Sequence, residues 1–156
     1  MKIETNAETQ IVNLIRQLDN IGIKSTEKAL RLAGLNASEL IVERIEIQGR
    51  GVNSSLVTKS KDADGVYSKG HKKTREKMGY QTTKVDLRMK GDLLNNFKLI
   101  SSDSKTAEVG FNDQIQSDKA NYLEAYYGEL WSLTEKEKSV VFDTFEESIE
   151  EDIRTI

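Results

Sequence analysis

Ile11, Leu14, Ile15, Leu18 and Ile21 follow one another at steps of three and four residues. That spacing is the apolar stripe of an amphipathic helix, and it commits the start of the chain to helix. Gly22 is the predicted stop, because glycine accepts the left-handed conformation that closes helices. Ser25 supplies an N-cap for a second helix, with Lys28 where a capping box would place an acid. Ala29, Ala33, Ala37, Leu40, Ile41 and Ile45 carry the stripe to about Ile47. No proline interrupts it anywhere. Residues 1–48 therefore read as two helices, the second long for a domain of this size.

Gly49-Arg50-Gly51 ends the helical pattern. Residues 49–83 are polar and largely aperiodic, and they read as an extended arm or loop that orders against a partner. Within it, Ser68 to Met78 predicts a short basic helix closed by Gly79. From residue 84 the texture changes. Val85, Leu87 and Met89 alternate with Asp86, Arg88 and Lys90, the period of a half-buried strand. A turn of helix follows at Leu93–Phe97 with Asp92 as its cap. Two strands, Lys98–Ser101 and Ala107–Phe111, are joined through Ser102–Lys105. A helix over Ser117–Tyr127 stops at Gly128. Thr134 and Glu137 form a capping box for a last helix, expected to bury Val141, Phe142, Phe145, Ile149 and Ile153.

The 156 residues suit one domain, 1–156, comprising helices (1–48), arm or loop (49–83) and sheet with C-terminal helices (84–156). The fold class this predicts is α+β, with long N-terminal helices and a C-terminal helix packed on a small, mainly antiparallel sheet. No apolar run approaches the roughly 18 to 20 residues of a membrane span. The polar segment Met1–Asn6 carries no secretory signal. With no cysteine and one histidine, thiolate cages, disulfides, cysteine nucleophiles and multi-histidine metal sites are excluded within one chain.

The charge is segregated. Residues 1–50 carry seven basic and seven acidic side chains, for zero net charge; residues 51–100 carry eleven and five, for +6; residues 101–156 carry five and fourteen, for −9. Such a chain can bind a polyanion through its middle, or copies of itself with basic face against acidic face. The residues nominated for that interface are Arg50, Lys69, Lys72, Lys73 and Arg75 on the basic side. Glu146, Glu147, Glu150 and Glu151 are nominated on the acidic side.

Catalytic and cofactor motifs are scarce. Gly49-Arg50-Gly51 lacks the lysine and hydroxyl residue of a phosphate loop. His71 sits among Lys69, Lys72, Lys73 and Arg75, with Glu76 the nearest carboxylate in sequence; it reads as a surface histidine in a basic helix. The C-terminal acids lack the spaced ligands and glycine of a calcium loop. Tyr122, Tyr126, Tyr127 and Trp131 read as packing. No catalytic residue, metal ligand or cofactor site is nominated.

The order of short motifs resembles the neck proteins of tailed bacteriophages, the tail-completion and head–tail joining proteins. Val85–Phe97 is similar to that family's strand, glycine-containing turn and short helix, with Lys90 where threonine is common. Val109-Gly110-Phe111 is similar to its glycine-containing strand, and Ala120–Glu124 through Tyr127-Gly128 to its tyrosine-bearing helix. Trp131-Ser132-Leu133-Thr134 resembles the approach to its final helix, and Tyr67–Lys73 ahead of Gly79 its preceding stretch. The resemblance spans about residues 45–145.

It implies a non-enzymatic virion component, a ring-forming connector or tail-completion protein with no cofactor. Its partners would be copies of itself and the portal, connector or tail proteins, with non-specific contact to DNA passing through the ring and none to membrane. Its location would be the virion neck or tail, after assembly in the host cytoplasm. The competing expectation is a nucleic-acid-binding accessory protein using the basic segment 59–90.

Overall fold

The structure is a computed structural model that describes the backbone of residues 6–155 and the side chains from Arg16 onward except Leu18. The segment 1–5 and the stripe side chains Ile11, Leu14, Ile15 and Leu18 lie outside the described residues. The elements are α1 (Asn6–Glu46), β1 (Ala63–Asp64), β2 (Tyr67–Ser68), α2 (Lys69–Lys77) and α3 (Asp92–Asn96), then β3 (Phe97–Ser102), β4 (Ala107–Phe111), α4 (Gln114–Tyr127) and α5 (Glu135–Arg154). The fold is α+β, with five helices and two small antiparallel two-stranded sheets among the described residues.

α1 is one helix of 41 residues, not two. Gly22 does not stop it. A glycine inside a helix costs about 1 kcal/mol relative to alanine, which a long helix absorbs, and no proline follows to enforce a break. The Thr26 hydroxyl donates to the Gly22 carbonyl at 2.8 Å, the four-residue step of a continuing helix.

α5 runs antiparallel beside α1. Arg44 pairs with Glu137 near one end and Lys28 with Asp152 at the other, 2.7 Å apart. Small side chains make the approach possible: Ala29, Ala33, Ala37 and Ser148 are all buried. The β3–β4 hairpin pairs Phe97 with Phe111 and Ser102 with Ala107, with an irregularity between Leu99 and Ser101. It packs on α1 at Gly34, where a Cβ would lie 2.6 Å from Leu99 Cδ1.

The main core gathers Ile41 and Ile45 of α1 with Leu56, Tyr67, Val85, Leu94, Phe97 and Leu130. Two of these, Leu56 and Tyr67, come from 49–83, so the segment folds back on the core as a loop and is not an extended arm. Leu56 and Tyr67 are 2% and 3% exposed. Two apolar residues were enough to seat it, because its polar backbone finds partners: Gly51 N donates to Ser54 O, Val52 N to Glu129 O and Thr58 N to Val66 O.

The expected strand at Val85–Met89 is absent. Val85 is buried as the alternation requires, but so is Asp86, and Leu87 takes a left-handed φ of 51°. Side chains replace the neighbouring strand. Tyr67 and Gln81 donate to the Lys84 carbonyl, Arg75 donates to the Arg88 carbonyl, and Asp86 accepts from Arg88 N. These side chains give the Lys84 and Arg88 carbonyls and Arg88 N partners without a ladder.

In α5 the capping box forms as predicted, with Thr134 accepting from Glu137 N and Glu137 from Thr134 N. Val141, Phe145 and Ile149 are partly buried. Phe142 and Ile153 are not: they are 57% and 63% exposed. They fall outside the arc of α5 that α1 covers.

Candidate interface and adjoining cavity

α2 starts at Ser68, whose hydroxyl accepts from His71 N, and ends before Gly79, whose φ of +75° only glycine adopts freely. Its nine residues include five cations. Arg75 was nominated as a surface cation, and the structure corrects this: it is 2% exposed. It pairs with Asp86 at 3.0 Å and donates to the carbonyls of Gln81 and Arg88. Its guanidinium lies over the rings of Tyr67 and Tyr80. Arginine, unlike lysine, offers five donors in a plane, which is why this position can be closed off from water.

With Arg75 pointing inward, the 3.6-residue period puts Lys69, Lys73 and Lys77 outward, each one turn from the next. All three are exposed. Lys72 sits to one side and pairs with Asp64 across 3.0 Å. Arg50 lies apart, exposed in the loop after α1, its backbone bridged to Ser55. Lys77 belongs to the basic segment 59–90 and joins Lys69 and Lys73 on this face.

On α5, Ser148 plays the inward part. Asp143, Glu146 and Glu150 take the opposite side, with Glu147 next to them, and all four are exposed. Glu150 pairs with Arg154 at 3.0 Å. Glu151 turns toward α1, sharing a small cleft with Lys28 and Ile21. Phe142 and Ile153, eleven residues apart and so in line along the helix, border this acidic strip. Of the nominated residues, Lys69 and Lys73 share one exposed face and Glu146, Glu147 and Glu150 another of opposite sign, while Arg50, Lys72, Arg75 and Glu151 lie outside both.

Beside α2 opens a cavity of about 770 Å³, reaching across residues 85–93 to α4. Val85, Leu87, Leu93 and Leu123 give it aliphatic walls, and Tyr67, Tyr122 and Tyr127 aromatic ones. Arg88, Lys90 and Lys119 stand at its edge with Asp92 and Asp118. Arg88 is already paired with Glu46. His71 stacks on Tyr67 with ring centroids 4.9 Å apart, and burial, then the Arg75 charge, hold its pKa below the usual 6.5. Burial pushes the Tyr127 phenol up to about 12, so it stays protonated. The sequence alone does not reveal this cavity, because its lining comes from three separated segments, 67–75, 85–93 and 116–127.

Among the described residues no cluster of histidine and carboxylates is placed to hold a metal ion. Among them also, no helix is long and apolar enough to cross a membrane. Comparison with protein-family models, curated proteins and solved structures finds no match.

Proposed function

We propose that this chain is a structural subunit of a tailed-phage neck, a connector or tail-completion protein that assembles into a ring. The observation that carries this reading is the placement of two charged helical surfaces on different elements of one chain. Lys69, Lys73 and Lys77 face outward from α2, and Asp143, Glu146, Glu147 and Glu150 face outward from α5. A surface that matches a different surface on the next copy makes head-to-tail contacts, and such contacts close into rings when the rotation permits. The order of motifs over residues 45–145 supports the same reading by resemblance.

Exposed ion pairs contribute about 0–1 kcal/mol each, so recognition depends on several acting together. Reversing Lys69, Lys73 and Lys77 to glutamate should abolish assembly while leaving the fold intact. Reversing Glu146, Glu147 and Glu150 to lysine in the partner copy should restore it. Assembly unaffected by the lysine reversals, with loss of DNA retention instead, would favour the nucleic-acid-binding reading.

A further inference from the structure

We infer that the cavity between α2 and α4 receives the α5 helix of a second copy, with Phe142 as the aromatic anchor. The inference rests on the ring reading above and names the contact by which neighbours hold each other.

The cavity suits an apolar occupant with charged flanks, since aliphatic side chains and tyrosine rings line it together with Lys90, Lys119, Asp92 and Asp118. The chain itself carries a matching group. Phe142 is 57% exposed, and no residue of α5 lines the cavity, so a chain does not fill its own. Aromatic side chains bury about 150–250 Å² each and dominate interface energetics when they enter a pocket.

Charge agrees with the apolar fit. Along α5, Glu146 stands one turn beyond Phe142 and Lys138 one turn before it. Lys90 and Lys119 at the cavity edge can meet the glutamate, and Asp92 and Asp118 the lysine. One amphipathic helix laid in a groove thus meets apolar floor and charged flanks together. Donor helix and receiving groove occupy different surfaces, so the contact is heterologous.

The absence of cysteine allows a direct test. Two single-cysteine chains of different length, Lys119→Cys at the cavity edge and Ser139→Cys beside Phe142, are mixed and oxidised. The expected product is the mixed disulfide, well in excess of either homodimer, and at least tenfold reduced when Phe142→Gln is added to the second chain. Phe142 is exposed, so this substitution leaves the fold in place, checked by circular dichroism. A mixed disulfide no more abundant than the homodimers, or indifferent to Phe142→Gln, overturns the docking. If the triple lysine reversal stops assembly while Phe142→Gln does not, the ring reading stands and the Phe142 contact falls. If neither variant alters assembly, both fall.

Discussion

Arg75 and Asp86 form an ion pair closed off from solvent, 3.0 Å apart, with the Asp86 carboxylate also accepting from Gln81 at 2.6 Å. The arginine ties α2 to residues 81–89, a stretch with no strand or helix of its own. Removing one member of a buried pair leaves the other uncompensated, at a cost of about 3–5 kcal/mol. Arg75→Ala should therefore lower stability by that amount in chemical denaturation. The loss should come without any specific effect on assembly beyond the unfolding.

Two glycines of α1 should respond in opposite directions to alanine. Gly22 has nothing within 4 Å of an added Cβ, so Gly22→Ala should stabilise by about 1 kcal/mol through helix propensity. At Gly34 the added Cβ meets Leu99 Cδ1 at 2.6 Å and Ala107 Cβ at 3.1 Å. There the hairpin must shift, and overpacking of this kind costs about 1–3 kcal/mol. Thermal melts of the two variants, read side by side, check both signs.

Glu137 performs two tasks: it closes the capping box on Thr134 N and pairs with Arg44, whose side chain is 4% exposed. Arg44 also donates to the Leu130 and Ser132 carbonyls. Thr134→Ala removes only a cap and should cost about 1 kcal/mol. Glu137→Ala also leaves a buried guanidinium without its counter-charge and should cost about 3 kcal/mol. Equal losses in urea denaturation would show that the ion pair contributes nothing.

His71 gives the fold a pH dependence of definite sign. Its folded-state pKa lies below 6.5, from burial first and the Arg75 charge second, with Asp86 opposing. The unfolded chain then binds the proton more readily than the folded one. Its contribution is fully present above pH 6.5, declines as pH falls below 6.5, and is gone once pH has passed the folded pKa. The difference in stability between the wild type and His71→Gln, measured from pH 8 to pH 5, should follow this course. A proton NMR titration of the imidazole should give a midpoint below 6.5.

Helices were legible in the sequence where capping chemistry and apolar period agree locally. Ser68 and Gly79 bracket α2, Thr134 and Glu137 open α5, Gly128 closes α4, and the β3–β4 hairpin lies where two strands joined through Ser102–Lys105 are expected. Segregated charge was legible too, because net charge by segment needs no coordinates. Period alone failed at Val85–Met89. A strand needs a partner, and here Tyr67, Arg75 and Gln81 supplied hydrogen bonds from side chains instead.

What the sequence by itself determined was local: helix caps, the hairpin, the sign of each third of the chain, and the α+β class that follows from them. Tertiary structure alone decided which cation is inside and which is out. Arg75 and Lys73 differ little as letters in a basic helix, yet one faces Asp86 and two tyrosine rings while the other faces water. It also decided that Gly22 would not end a helix, that Leu56 and Tyr67 would seat a polar loop, and that Phe142 would stand exposed. The physical reason is common to all of these. Burial depends on neighbours brought together from distant positions, and no short window of sequence contains them.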